Sequence, residues 1–343
     1  MTTYIKETLS IPSLIGCCIE HNASTVKDIA KAVAERSVTS IVTIARGSSD
    51  SSASFFKYAA TISCGLPVSR FNHSAVTLYN AKLHLKNALV VAISVSGKST
   101  DTVLVAESAK KSGALLVAVT NNASSPLAKL ADFHLDLKMG EEKSLVSAKT
   151  FMAQLAVLGM LASELSGGTV TYNTSHLPYT LEKLSAKHNE IKMLATYNKY
   201  KDNVIILSRG LTIAVAEELS RKLIELAGVF GTHFSTADFM HGPIALVKEN
   251  TSVIMLAPNT VFKQEFIDMA TRLSILGADL TVFSEIPELK KISAETLSIS
   301  LHNSLEAPFA HAYCALLYAG YLAEARGLNP DTPRNIKKET NTK

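Results

Sequence analysis

Residues 88–102 read Ala-Leu-Val-Val-Ala-Ile-Ser-Val-Ser-Gly-Lys-Ser-Thr-Asp-Thr, an apolar run followed by a turn rich in hydroxyl side chains. The run from Ala88 to Ile93 predicts a buried strand, and the segment from Thr102 to Ser112 predicts a helix. Hydroxyl groups at a helix start, with Gly97 allowing close approach of the backbone, are typical of an anion site. We therefore predict a phosphate site at Ser94 to Thr102. The Gly-Lys-Ser-Thr at its centre is not a nucleotide P-loop, because that motif needs a glycine where Ala92 stands.

Strands and helices alternate on both sides of this stretch. Apolar strands are predicted at Ser40–Ala45, near Val68 and at Ala114–Thr120, with a helix at Ala53–Ser63 after the Gly47-Ser48-Ser49 turn. Continuous apolar strands separated by helices indicate an α/β fold with a parallel sheet covered on both faces. Ligands bind such sheets at the carboxyl ends of the strands, where the Gly47 and Ser94 turns both lie.

The second half of the sequence repeats the plan of the first. Ile41 to Gly47 matches Val204 to Gly210, and Leu89 to Ile93 matches Ser252 to Leu256, both at an offset of 163 residues. Two tandem copies of one domain are therefore predicted, residues 1–175 and residues 176–343, joined in a polar segment that contains Gly167 and Gly168. The second copy lacks the hydroxyl side chains of the predicted phosphate site, Ser94 to Thr102, called here the hydroxyl cradle. This difference favours phosphate binding in the first copy and chemistry in the second.

Composition limits the functional classes. The chain has 343 residues, of which 47% are hydrophobic and 19% charged, with a formal net charge of +4. Its basic residues are dispersed, so no nucleic-acid partner is expected. The four cysteines lack metal-ligand spacing, and no zinc-type histidine motif or cofactor motif occurs, so neither metal nor cofactor is expected. No apolar run is long enough to span a bilayer, and a cytoplasmic protein without a membrane partner is the expectation.

Several side chains could carry chemistry, although each has an ordinary structural role available. Glu217 and Glu218 favour a helix start, Glu225 could pair with Arg221 on an exposed face, and His241 could fix a turn. Together, however, a carboxylate, an imidazole and a lysine are the groups needed to move a proton beside the carbonyl of a small phosphorylated substrate.

The motifs resemble those of the double sugar-isomerase (SIS) domain family, most closely the isomerase half of glucosamine-6-phosphate synthase and the SIS-type glucosamine-6-phosphate deaminases. Five motifs carry the resemblance in order, and they cover nearly the whole chain. They are Gly47-Ser48-Ser49, Ser94 to Thr102, Leu145-Val146-Ser147-Ala148-Lys149, the pair Lys222-Leu223-Ile224-Glu225 and Met240-His241-Gly242-Pro243, and Asp331 to Lys338.

The resemblance implies a fold, a set of site residues and a partner. The fold is two tandem SIS domains, each a flavodoxin-like three-layer sandwich, with a small sugar phosphate as substrate. The implied catalytic residues are Glu225 as the base between C1 and C2, His241 in ring opening and Lys338 at the sugar carbonyl. The implied substrate-binding residues are Ser48, Ser49, Ser94, Val95, Ser96, Ser99, Leu145, Ser147 and Lys337. The histidine reaches the site from a neighbouring subunit in that family, which implies a homodimer.

Departures from the family pattern bear on the reaction. Val95 replaces a glutamine and Lys98 a glutamate, so the contacts to the sugar near its phosphate differ. The sequence begins at Met1 without the cysteine nucleophile of a glutaminase domain, which favours deamination of glucosamine 6-phosphate over its synthesis. A deaminase or isomerase for galactosamine 6-phosphate or a fructosamine phosphate stays open, as does a non-catalytic sensor of sugar phosphates.

Overall fold

The computed structural model describes residues 1–338, and the end of the predicted second domain, residues 339–343, lies outside the described residues. Two compact units divide the chain. The N-terminal unit comprises Ser13–Glu142, Lys149–Ser175 and the two residues Lys337 and Lys338, and the C-terminal unit comprises Met1–Pro12, Lys143–Ala148 and His176–Ile336. The predicted domain limits, residues 1–175 and residues 176–343, stay a prediction.

Ten strands form two sheets within residues 1–338. They are β1 Ser40–Ala45, β2 Val68–Arg70, β3 Ala88–Ile93, β4 Leu115–Thr120, β5 Phe133–Asp136, β6 Asn203–Ser208, β7 Phe230–Ser235, β8 Ser252–Leu256, β9 Asp279–Phe283 and β10 Glu295–Leu297. The first sheet has the order β2-β1-β3-β4-β5 and the second the order β7-β6-β8-β9-β10, with every pair parallel. The two orders are the same, which confirms the predicted α/β class with two parallel sheets.

Fourteen α-helices flank these strands in the described part of the chain. They are α1 Thr3–Leu9, α2 Ile11–Glu35, α3 Ser48–Cys64, α4 His73–Thr77, α5 Thr100–Lys111, α6 Pro126–Leu130, α7 Lys149–Leu165, α8 Leu177–Ser185, α9 His188–Tyr197, α10 Ile213–Ala227, α11 Thr236–Met240, α12 Lys263–Ile275, α13 Pro287–Ile292 and α14 Ala307–Ala325. Among residues 1–338, no helix has the length and apolarity needed to cross a membrane.

Helix α3 begins five residues before the predicted start at Ala53. The prediction was wrong because the serine-rich stretch after Gly47 reads as a polar turn, whereas the hydroxyls of Ser49 and Ser52 are paired inside the unit. Ser52 Oγ donates to Gln154 Oε1 at 2.9 Å, and Gln154 Nε2 donates to Ser49 Oγ at 3.0 Å. Burying hydroxyls costs little when they are hydrogen-bonded, so the helix continues through them.

Each sheet has its own apolar core. In the N-terminal unit the strand residues Val90, Ala92 and Leu116 pack with Val105 and Ala109 of α5. In the C-terminal unit the cluster joins residues of β6, β8 and β9 to α12, including Leu207, Met255, Val282, Phe266 and Leu273. Strands apolar on both faces require cover on both faces, which explains why they read as continuous apolar runs.

His311 is a buried titratable group in the core of the C-terminal unit. Its two ring nitrogens face backbone carbonyls, Nδ1 at 2.9 Å from Ala307 O and Nε2 at 3.2 Å from Phe283 O. These acceptors favour the protonated ring, but burial outweighs them and lowers the pKa of His311 to about 4. The side chain is therefore neutral at pH 7.

We expect His311 to make the fold sensitive to acid. Its folded-state pKa lies below the unfolded value, so its contribution to stability is present above about pH 6.5 and is lost as the pH falls towards 4. The expected loss is about 3 kcal/mol in the free energy of unfolding. Denaturant unfolding at a series of pH values should show a smaller acid loss in His311→Gln than in the wild type. The exposed control His84→Gln should keep the full loss, and equal acid losses in all three proteins would contradict the expectation.

Candidate functional site

The hydroxyl cradle lies at the carboxyl end of β3, as the sequence predicts. Ser94 Oγ and Ser99 Oγ are 3.2 Å apart, and the backbone N–H of Lys98 donates to Ser96 Oγ at 3.2 Å. Helix α5 begins at Thr100, two residues before the predicted start at Thr102. Three hydroxyls and a helix N-terminus therefore meet in one short loop, an arrangement suited to an anion.

Gly97 shapes this loop. Its φ is +62°, in the left-handed region, and a Cβ added there would lie 2.2 Å from Ser125 Oγ and 2.5 Å from Ser125 Cβ. Its carbonyl also accepts the N–H of Leu127 at 3.2 Å. The loop can thus lie against the start of α6 only because no side chain intervenes.

We expect Gly97→Ala to destabilise the protein by more than its backbone strain alone. The left-handed φ costs about 1 kcal/mol or more for alanine, and the clash with Ser125 adds to it. Gly65→Ala is a matched control, since Gly65 has φ +70° but open space at the Cβ position. Denaturant unfolding of both variants measures the difference. A Gly97→Ala loss no larger than that of Gly65→Ala would contradict this account.

The other residues predicted to bind substrate are spread over both units. In the N-terminal unit, Ser48 is half-buried at the start of α3 and Val95 is half-buried in the hydroxyl cradle. The hydroxyl of Ser49 accepts a hydrogen bond from Gln154. Leu145 and Ser147 belong to the C-terminal unit, in a segment whose backbone N–H groups at Lys143 and Ser144 donate to Glu7 at 2.8 and 3.0 Å. Their roles stay predictions.

The two lysines near the end of the described chain are exposed. Lys338 Nζ donates to the carbonyl of Glu142, while the carboxylate of Glu142 binds the first turn of α7 through Thr150. Lys337 is also exposed. Lys338 is therefore attached to a fixed point of the N-terminal unit, and its predicted reaction with a sugar carbonyl would require it to leave that carbonyl acceptor.

Glu225 belongs to a charged group in the last three turns of α10. Lys222 Nζ lies 3.0 Å from Glu218 Oε1 and 2.9 Å from Glu225 Oε2. The side chains of Lys222 and Glu218 are 1% and 2% exposed, whereas that of Glu225 is 27% exposed. Arg221 lies 3.8 Å from Glu218, so the exposed Arg221–Glu225 pair considered from the sequence is wrong.

Lys222 keeps its charge in this buried position. Burial alone would lower its pKa, but the carboxylates of Glu218 and Glu225 outweigh burial and raise the pKa of Lys222 above its usual value. Because the ammonium of Lys222 is buried and contacts both carboxylates, it restricts the position of Glu225, which is the carboxylate that reaches solvent. The spacing of Glu218, Lys222 and Glu225 places all three side chains on one helix face. This spacing is visible in the sequence, but the pair Arg221–Glu225 was considered in its place.

Glu225 lines a cavity together with part of the motif Asp331 to Lys338, called here the C-terminal motif. The cavity measures about 310 Å³ and is lined from α10 by Ile224 and Glu225, and from the motif by Thr332, Pro333, Arg334, Asn335 and Ile336. Asp331 fixes the start of the motif, because its carboxylate accepts the N–H groups of Thr3 at 2.7 Å and Tyr4 at 2.8 Å. Two motifs that are distant in sequence thus share one cavity.

His241 lies away from this cavity. Helix α10 runs back along the sheet, so Glu225 stands just before the amino end of β7, whereas His241 follows the carboxyl end of β7 and the short helix α11. Strand β7 has six residues and spans about 20 Å. The predicted base and the predicted ring-opening histidine are therefore not brought together within one chain.

Comparison with known proteins agrees with this architecture. Residues 36–164 match the family model of the SIS domain. The chain is homologous to a glutamine–fructose-6-phosphate aminotransferase (isomerizing) from Thermococcus kodakarensis, with 28% identity over 97% of the chain and 57% of the relative. The chain thus spans little more than half the length of that protein.

Two solved structures show the same fold. One is the C-terminal domain of glucosamine-fructose-6-phosphate aminotransferase from Francisella tularensis, with a TM-score of 0.84, 23% identity and coverage of 97% of this chain and 98% of that one. The other is a glucosamine-6-phosphate deaminase from Thermotoga maritima, with a TM-score of 0.81, 22% identity and coverage of 99% and 100%. The family match ends before the second sheet, so a second SIS domain is not among these findings.

Proposed function

We propose that this protein is an isomerase-type enzyme for sugar phosphates, with Glu225 as the base. The observation that carries the proposal is the partly exposed carboxylate of Glu225, held by buried Lys222 on the wall of a cavity completed by the C-terminal motif. A positioned carboxylate at a small cavity is suited to moving a proton between adjacent carbons. The hydroxyl cradle of residues 94–102 is suited to binding the phosphate of such a substrate.

The specific reaction that we propose is conversion of glucosamine 6-phosphate and water to fructose 6-phosphate and ammonia. Glu225 takes the proton from C2 of the open-chain amino sugar and returns it at C1. The C1 carbonyl oxygen gains a proton and the amine nitrogen loses one, which leaves a hydroxyl at C1 and an imine at C2. Water hydrolyses this imine to the ketone and ammonia, so atoms and charges balance. The likeness to a deaminase structure and the homology to an aminotransferase both involve an amino sugar phosphate, which supports this choice of substrate.

We also infer that the second sheet is a second SIS domain, because it repeats the strand order of the first. In the proposed enzyme Ser48, Ser94, Ser96 and Ser99 bind the phosphate. Ser49, Val95, Leu145, Ser147 and Lys337 line the sugar, and Lys338 acts at its carbonyl. His241 would come from the partner in a homodimer, since its own chain holds it beyond the opposite end of β7 from Glu225.

The first test is release of ammonia from glucosamine 6-phosphate by the pure protein. We expect turnover by the wild type and a loss of about 10²- to 10⁴-fold in kcat for Glu225→Gln, which keeps the shape but not the base. Glu217→Gln on the same helix is the control and should keep wild-type activity.

Three outcomes separate the candidate reactions. Absence of ammonia release combined with glucosamine 6-phosphate formation from fructose 6-phosphate and ammonium would replace deamination by synthesis, the reaction favoured by the aminotransferase relative. Turnover of galactosamine 6-phosphate or a fructosamine phosphate alone would change the substrate. Binding of fructose 6-phosphate without turnover of any of these would leave a sensor and overturn the enzyme proposal.

The second test concerns the shared site. Glu225→Gln and His241→Asn should each be inactive, yet a mixed dimer has one site with both native groups. Random reassociation of equal amounts should therefore restore about a quarter of wild-type activity. Two affinity tags on the two variants allow isolation of the mixed dimer, and an inactive mixed dimer would contradict the shared site.

A further inference from the structure

Arg46 stands beside the phosphate cradle. It directly follows β1, and the register pairs Ala45 with Ile93, the last residue of β3. Arg46 and Ser94 are therefore the first residues beyond the carboxyl ends of two adjacent strands. A parallel pair places such residues at one edge of the sheet, next to each other.

Asp101 fixes the guanidinium of Arg46. Arg46 Nε donates to Asp101 Oδ2 at 2.9 Å, and Asp101 Oδ1 accepts the N–H of Thr102 at 2.8 Å. The side chain of Asp101 is 1% exposed, whereas that of Arg46 is 52% exposed. A guanidinium has five N–H donors, and the bond to Asp101 uses one of them. The ion pair thus orients a partly exposed cation at the base of helix α5.

The charge of the cradle is incomplete without this cation. Ser94, Ser96 and Ser99 are neutral, whereas a phosphate monoester carries a charge of about −1.5 to −2 at pH 7. Lys98 is a cation of the loop, but it is an exposed side chain on a flexible stem. Arg46 has a planar fork that matches phosphate oxygens and is already oriented by a buried carboxylate, which reduces the entropy lost on binding.

We propose that Arg46 is a phosphate-binding residue of this site and that Asp101 is its positioning residue. The ligand class is a phosphate monoester, and the proposal rests on the phosphate-ester substrate of the proposed function. The loop hydroxyls and backbone N–H groups then select the shape of the phosphate, and Arg46 supplies the charge. The sequence alone gives neither Arg46 nor Asp101 a role in binding, because their contact joins positions 55 residues apart.

Calorimetric titration with fructose 6-phosphate tests this role. We expect Arg46→Gln to raise Kd by about 10- to 100-fold, because a charge-assisted bond to phosphate is lost. Arg46→Lys should recover part of the affinity, since it keeps the charge without the fork. Lys110→Met is the control, because it removes an ion pair with Asp132 at the opposite end of α5. This variant should bind fructose 6-phosphate as tightly as the wild type does. Inorganic phosphate is the second probe, and the same order of affinities is expected.

The buried carboxylate requires a further variant. Arg46→Gln leaves Asp101 unpaired and could reduce stability, so the double variant Arg46→Gln/Asp101→Asn removes that charge as well. We expect the double variant to fold and to bind as weakly as Arg46→Gln. Asp101→Asn alone should weaken binding to an intermediate extent and lower the dependence of Kd on salt, which a purely structural role would not change.

The outcomes separate this proposal from the proposed reaction. Wild-type affinity in Arg46→Gln or in the double variant would overturn the role of Arg46, even if the protein releases ammonia. Weakened binding in both variants supports the role, even if no ammonia is released from glucosamine 6-phosphate. A wild-type protein that binds neither fructose 6-phosphate nor inorganic phosphate would overturn the role of Arg46 and the phosphate site together.

Discussion

Parallel strand pairing is the constraint on which both units depend. Two adjacent parallel strands cannot be joined by a tight turn, so the chain must return along a helix before each new strand begins. Loops after strands therefore collect at one edge of a sheet, and helix ends collect at the other. In the N-terminal unit this brings Arg46, Ser94 and Ser99 together. In the C-terminal unit the same rule separates Glu225 from His241, so the position of a motif along its strand–helix unit decides which groups can meet.

In both units a buried charged side chain orients a more exposed side chain of opposite charge. Asp101 and Lys222 are almost fully buried, and each contacts a partner of opposite charge that reaches solvent, Arg46 in one unit and Glu225 in the other. Moving a charge from water into the protein interior costs free energy unless the charge has a partner. The buried member of each pair therefore strongly restricts the position of the exposed member. Such restriction benefits a binding or catalytic group, because less conformational entropy is lost when substrate arrives.

Sequence reasoning succeeded where local pattern and tertiary environment agree. Strands β1, β3 and β8 were predicted with their observed limits, because an apolar run that is buried on both faces has no other compact solution. The start of α3 was missed, since five polar residues were judged by their composition while Gln154, about a hundred positions away, satisfies the hydroxyls of Ser49 and Ser52. The Arg221–Glu225 pair failed for a similar reason, as burial of Lys222 decided which cation Glu225 contacts.

The sequence by itself determined the α/β class, the repeat of the strand plan and the hydroxyl cradle of residues 94–102, because each follows from the periodicity and chemistry of neighbouring residues. Only the tertiary structure decided which charges are buried together, that Asp331 binds the backbone of Thr3 and Tyr4, and that the C-terminal motif and Glu225 line one cavity. These features depend on contacts between residues that are distant along the chain. Their energies come from desolvation and geometry, which no local pattern specifies.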